Sequence, residues 1–250
     1  MTTLTIVIPT YKRPELLRRC LGSVYAAGAG DIQVIVVDDD SDCSGFAAAR
    51  DFPCNYVAKR GIRRGQARSR NIGIQLADGK YVTFIDDDDY FTPEGVPAML
   101  EAITAGPDLA FFDHTLYKGS EFTRVGTEQT TPRSLMIGNT LPMGSYLIAR
   151  GLIRHLFDEH LASHEDWSFL LDNLAGLTPV HKAVSVVVID KTDNLTSSHE
   201  ATTRQNWWLD YLAIYARHPA PELNVARTEV LKCMGILIPE NLLTNTRYLP

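Results

Sequence analysis

The stretch Tyr81-Val82-Thr83-Phe84-Ile85-Asp86-Asp87-Asp88-Asp89 decides the fold, because a short apolar run stops in four consecutive aspartates. A run this short and rich in β-branched and aromatic residues reads as a buried strand. The same construction appears upstream, where Ile32-Gln33-Val34-Ile35-Val36-Val37 runs into Asp38-Asp39-Asp40-Ser41-Asp42. Nearly continuous apolar strands imply a mostly parallel sheet covered by helices on both faces. In such a sheet ligands bind in the crevice at the carboxyl ends of the strands. One acidic run alone is ordinarily solvated surface, but two at equivalent strand ends point to a shared ligand. A hard divalent cation is one physical reason for carboxylates to crowd in this way.

Working outward, Leu4-Thr5-Ile6-Val7-Ile8 is a strand ended by Pro9, and Pro14 to Ala27 is a helix with Leu16, Leu17, Cys20, Leu21, Val24 and Tyr25 at helical spacing. Asn55 to Ala58 is a weaker strand. Helices are predicted from about Gly65 to Ala77 and from Pro93 to Ile103, before the apolar run Leu109-Ala110-Phe111-Phe112. The second half is less regular. It has a turn-rich stretch from Lys118 to Arg133, helices at Ser163 to Leu174 and Thr202 to Ala216, a strand at Val184 to Ile189 and a last helix from about Glu222.

The 250 residues suit one large domain, and 45% hydrophobic with 22% charged residues excludes wholesale disorder and a polytopic membrane protein. A net charge of −6 opposes a nucleic-acid footprint. Cys20, Cys43, Cys54 and Cys233 lack C-x-x-C spacing, and MTTLTIVIPT runs straight into a strand, so free thiols in a reducing cytoplasm are expected. No apolar run reaches the roughly 18 to 20 residues that span a bilayer, so any membrane contact would be peripheral. Lys59, Arg60, Arg63, Arg64, Arg68 and Arg70 form a basic cluster beside the third helix. A diphosphate is the natural counterpart of basic and acidic groups brought together, since guanidinium matches phosphate geometry and a carboxylate-held metal bridges its oxygens.

Five segments then occur in order: Ile8-Pro9-Thr10-Tyr11-Lys12-Arg13, Val36-Val37-Asp38-Asp39-Asp40-Ser41, Ala67-Arg68-Ser69-Arg70-Asn71-Ile72-Gly73, Phe84-Ile85-Asp86-Asp87-Asp88-Asp89 and His164-Glu165-Asp166-Trp167. Together they resemble the motifs of inverting family 2 glycosyltransferases of the GT-A fold, over about residues 4 to 175. The resemblance implies an α/β, Rossmann-like, mostly parallel sheet flanked by helices. Residues 1–199 would form the domain, with a nucleotide-sugar-binding half (1–115) and an acceptor and catalytic half (116–199). Residues 200–250 would be a helical appendage packed on it.

The resemblance also implies site roles. Pro9, Thr10 and Tyr11 would border a nucleobase, most often uracil, with Arg13 nearby and Asp39 accepting a hydrogen bond from the base. Asp86, Asp87 and Asp88 resemble the D-x-D motif. Asp86 would approach the ribose or metal, and Asp88 would hold Mg²⁺ or Mn²⁺, with His199 as a third ligand. One of Arg64, Arg68 or Arg70 would serve the diphosphate. Asp166 would be the general base and Glu165 a positioning residue or alternate base, although acidic residues in a first helical turn also serve the helix dipole alone. Met143, Gly144, Ser145 and Trp167 would form the acceptor side.

The implied activity is sugar transfer from a nucleotide-diphosphate sugar to a glycan, lipid-linked glycan or other hydroxyl acceptor in cell-surface polysaccharide synthesis. A cytoplasmic chain is expected, with a peripheral position at the inner membrane face and a homodimer as further possibilities. His114, a lone histidine after an apolar run, could reach the sugar or metal, but a hydrogen-bonded structural histidine is the expected reading and it is left out of the metal shell. Trp207, Trp208, Tyr211, Leu212 and Tyr215 recur at helical spacing and are expected to serve core or subunit packing. The rival readings are a sugar-nucleotide-binding protein without catalysis and a receiver-like Mg²⁺-binding signalling domain.

Overall fold

Strand β1 (Leu4–Thr10) is buried along its whole length, which requires a layer of helices on each side of it. The structure, a computed structural model, describes residues 2–26, 30–60, 65–192 and 207–236. After β1 come α1 (Pro14–Tyr25), β2 (Ile32–Asp38), α2 (Phe46–Ala49), β3 (Asn55–Ala58), α3 (Gln66–Leu76), β4 (Tyr81–Phe84), β5 (Tyr90–Phe91) and α4 (Gly95–Ile103). The second half adds β6 (Leu109–Lys118), β7 (Glu121–Val125), α5 (Pro132–Leu135), β8 (Tyr146–Ala149), α6 (Glu165–Leu174), β9 (Pro179–Asp190), α7 (Trp207–Arg217) and α8 (Asn224–Cys233).

The sheet order is β3-β2-β1-β4-β8-β6-β9-β5, with β7 added to β6. From β3 to β4 all neighbours are parallel, as the strand and helix alternation implies. Beyond β4 the sheet is mixed. Strand β8 runs antiparallel to both β4 and β6, while β9 runs parallel to β6. Two reversals restore the direction, so β1, β2, β4, β6 and β9 all end on one edge. That edge carries both acidic runs.

Alternation along β1 divides the core in two. Leu4, Ile6 and Ile8 pack with Leu17, Leu21, Val96 and Met99 on one face. Val7 joins Ala67, Trp167 and Phe169 on the other, together with Ile214, Tyr215 and Leu231 from α7 and α8. The aromatic stripe of α7 is thus core, as expected for Tyr211, Leu212 and Tyr215. Gly73 permits this layer to close, because a Cβ there would come 2.2 Å from Val7 Cγ1. Helix α6 begins two residues later than expected, since His164 adopts a left-handed φ of 59° and cannot continue a right-handed turn. Among the described residues no helix is long and apolar enough to cross a membrane.

Candidate active site

A cavity of about 690 Å³ opens at the carboxyl edge, lined by Pro9, Thr10, Tyr11, Arg13, Asp39, Asp86, Asp87 and Asp88 from the first half. Residues from β6 onward close it, among them His114, Asn139, Ser163, His164, Glu165, Asp166 and Lys191. Parallel β1, β2 and β4 therefore deliver three of the expected segments to one wall, and the start of α6 brings the fourth.

The three aspartates after β2 have different tasks. Asp38 is buried and accepts hydrogen bonds from Asp40 N (2.8 Å), Gly45 N (2.8 Å) and Tyr56 Oη (2.6 Å), which shapes the loop. Asp39 alone lines the cavity. Its Oδ2 accepts from Gly65 N at 2.7 Å, and Lys59 Nζ stands 2.8 Å from Oδ1. Oδ1 is therefore ion-paired with a buried lysine, although it forms no hydrogen bond among the described residues.

The run after β4 also divides. Thr10 Oγ1 donates to Asp87 Oδ2 at 2.7 Å, and Arg13 Nη1 reaches Asp88 Oδ2 at 3.0 Å and Asp87 Oδ1 at 3.5 Å. Arg13 is therefore engaged with the acidic loop. Burial, with repulsion from Asp88, pushes the Asp87 carboxyl up to about 7. Asp86, Asp88 and Asp89 each place a carboxylate oxygen within 4.8 Å of the others. Burial and then mutual repulsion raise Asp88 and, further, Asp89, which accepts from Asp190 N at 2.8 Å. Converging hard oxygen donors whose charge is held at a cost suit Mg²⁺ or Mn²⁺. Asp89 thus joins Asp86 and Asp88 in that cluster, whereas Asp87 turns towards Thr10. His199 and Arg64 lie outside the described residues.

Arg70 connects the two halves. Its side chain is fully buried, with Nη2 2.6 Å from Asp86 Oδ1 and Nη1 2.6 Å from Glu165 Oε1. Burial alone would depress its pKa, but the two carboxylates outweigh it and raise the value. The charge of Arg70 is thereby neutralised within the protein. Arg68, two positions earlier, is not among the cavity-lining residues and pairs with Glu159 at 2.8 Å. Neither is an uncommitted diphosphate cation. Lys191, at the end of β9, lines the cavity and forms no ion pair among the described residues. The sequence reading missed it, although a cation directly after a strand ending in Ile189-Asp190 is the signal that applied to the acids.

Both carboxylates at the start of α6 line the cavity, and with Glu165 paired to Arg70, Asp166 is the one without an ion pair among the described residues. Asn139 Nδ2 donates to Asp166 Oδ2 at 2.9 Å, and Trp167 N donates to Oδ1 at 2.7 Å. Burial, with repulsion from Glu165, raises Asp166 to about 6. Ser163, just before it, is fixed by α7, since Ser163 N and Oγ reach Asp210 Oδ2 at 2.7 and 2.8 Å.

The expected acceptor group is corrected by the structure. Trp167 is fully buried and donates from Nε1 to Leu135 O at 2.7 Å. One residue on a helix is about 100° of rotation, so a cavity-facing Asp166 turns Trp167 into the core. Met143 and Ser145 are buried too, around a turn at Gly144 whose φ is 82°. A Cβ at Gly144 would lie 2.9 Å from Val187 Cγ2, so that turn packs on β9. Asn139, Thr140 and Pro142 line the cavity instead.

Comparison with known proteins agrees with this geometry. The family profile described as Glycosyl transferase family 2 matches residues 5–158. An uncharacterized glycosyltransferase of Haemophilus influenzae is 32% identical over 112 residues, covering 44% of this chain and 38% of that protein. The succinoglycan biosynthesis protein ExoW of Rhizobium meliloti is 33% identical over 111 residues, covering 42% and 35%. The matched stretch thus spans under half of these curated relatives. Among solved structures, S. aureus TarS 1-349 in complex with UDP-GlcNAc has a TM-score of 0.72 at 18% identity, covering 92% of this chain and 71% of that one. Glucosyl-3-phosphoglycerate synthase from Mycobacterium tuberculosis, in complex with Mg²⁺ and UDP, has a TM-score of 0.60 at 19% identity, covering 85% and 79%. At these identities the likeness shows the GT-A fold.

Proposed function

The chain belongs to glycosyltransferase family 2, and from that premise we propose that it transfers a sugar from a nucleotide-diphosphate donor, a UDP-sugar, to an acceptor hydroxyl with inversion. The observation that carries this reading is Asp166, a half-buried carboxylate raised to about 6, in the same cavity as Asp39 and as Asp86 and Asp88 of the carboxylate cluster. The nucleobase would lie against Pro9, Thr10 and Tyr11, with its N–H on Asp39 Oδ1. Asp86, Asp88 and Asp89 would hold Mg²⁺ or Mn²⁺, which when bound neutralises charge on the departing diphosphate. Lys191 supplies a second cation for that charge. The acceptor would enter by Asn139, Thr140 and Pro142, its hydroxyl proton passing to Asp166 as the oxygen attacks the anomeric carbon. Asn139 holds that carboxylate in place, and Arg70 keeps Glu165 from competing. The direct relay needs no protein nucleophile.

A glycan or lipid-linked glycan in polysaccharide synthesis at the inner membrane face is the proposed acceptor, in line with the name of the Rhizobium meliloti relative. Release of UDP from a panel of UDP-sugars, dependent on added acceptor, tests the activity. Release absent under all conditions, with nucleotide still bound, would favour a binding protein.

Two outcomes follow from the site. A base with a pKa near 6 works only deprotonated, so kcat/KM should fall tenfold per pH unit below about 6 and level off above it. A profile flat from pH 5 to 8 would remove Asp166 as the base. Chelation with EDTA should weaken UDP binding at least tenfold, and Asp88→Ala should bind UDP weakly with or without EDTA. Tight binding indifferent to both changes would remove the cation from donor recognition.

A further inference from the structure

Sequence alone favours a hydrogen-bonded structural His114 over one that reaches the sugar or metal, and the orphaned ring nitrogen does not fit the favoured reading. The residue is only 6% exposed, yet its Nδ1 is buried without a hydrogen-bond partner among the described residues. Leaving such an atom unsatisfied forfeits its hydration without a replacement bond, so it calls for an explanation. The ring lines the cavity, where Leu116, Val125 and Ile189 form the adjacent wall. In register, His114 lies beside Val125 of β7 and Val187 of β9. The pairing of β6 with β9 slips at Phe112/Asp113 and again at Asp113/His114. Irregularities of this kind re-aim side chains and are frequent beside active sites.

The neighbour Asp113 shows what an engaged polar side chain looks like in this sheet. It accepts from Arg124 Nη2 at 2.6 Å and Thr127 N at 2.9 Å, and it stands 2.9 Å from His181 Nε2. His114 has no such set. Burial lowers its pKa, so the ring is neutral at physiological pH and offers one donor and one acceptor nitrogen. An uncharged, two-way hydrogen-bonding group on an apolar wall suits a hydroxyl better than it suits a phosphate.

We propose that His114 reads a ring hydroxyl of a sugar in the cavity, and so helps to set which sugar the protein accepts. This rests on the glycosyl-transfer reading above. The hydroxyl belongs either to the donor sugar or to the acceptor, and one experiment separates them. The full chain and its His114→Leu and His114→Gln variants are titrated with UDP, UDP-glucose, UDP-galactose and UDP-N-acetylglucosamine, melted without ligand, and assayed for donor and acceptor KM.

UDP affinity should be unchanged in His114→Leu. The melting temperature should hold or rise, because an apolar replacement removes an unsatisfied buried atom. For a donor hydroxyl, the preferred UDP-sugar should bind about tenfold more weakly and the preference between the glucose and galactose epimers should shrink. His114→Gln should restore part of both. For an acceptor hydroxyl, UDP-sugar affinities stay level and the acceptor KM rises about tenfold. A fall of many degrees in melting temperature would overturn the proposal in favour of a structural histidine. Unchanged sugar affinities together with an unchanged acceptor KM would also overturn it. A wild-type chain that binds neither UDP nor any UDP-sugar removes the glycosyl-transfer reading as well, whereas a failure confined to the variants removes His114 alone.

Discussion

Asp166→Asn should slow sugar transfer by about 10²-fold or more while nucleotide affinity and folding persist. The amide keeps the shape of the carboxylate and can still accept from Asn139 Nδ2 or Trp167 N, but it cannot take up a hydroxyl proton. The expected absence of a stability loss has its own reason. Burial and Glu165 hold Asp166 up near 6, so the ionised form opposes folding at neutral pH and its removal relieves that strain. Melting temperature, UDP affinity and transfer rate, measured on one preparation, decide the point. Near-normal transfer would eliminate Asp166 as the base, and a large drop in melting temperature would make it a helix-start residue only.

Arg70→Met should be the most destabilising single change at the site. Removing one partner of a buried ion pair typically costs about 3–5 kcal/mol, because the other charge is left uncompensated. Here two carboxylates, Asp86 and Glu165, would be stranded together. In a chain of this size that corresponds to a melting-temperature loss on the order of 10 °C. Arg18→Met provides the contrast, because Arg18 pairs with Asp51 on the surface, with the two side chains 44% and 51% exposed, and should change stability little. Equal melting temperatures for Arg70→Met and wild type would remove the bridge from the account.

Much of the fold was legible because its signals are local. Each apolar run that stops in acid is a strand meeting the ligand edge, and the stripe of α7 is a packing face. The division of labour inside the acidic runs was not legible. Which of Asp38, Asp39 and Asp40 faces the cavity depends on how Tyr56 and Gly45 fold back on Asp38, and both contacts cross from elsewhere in the chain. Likewise Arg68 and Arg70 differ by two positions on α3, and only the approach of α6 decides that Arg70 is the bridging one. Trp167 was a legible error, since the helical period places the neighbour of an inward-facing acid on another side. The burial of Met143 and Ser145 was illegible, because it follows from a tight fit of Gly144 on distant β9.

The hold of Asp210 on Ser163 has a consequence in time as well as in space. Strands β1 to β4, whose ends carry both acidic runs, lie in the first half of the chain and can pair as they are synthesised. Ser163, three residues before Asp166, acquires its anchor only when α7 arrives, 47 positions later. On the ribosome the wall that carries Asp39, Asp86 and Asp88 can thus form before Ser163, next to Asp166, is anchored. A prematurely terminated chain would carry the acidic wall without that anchor.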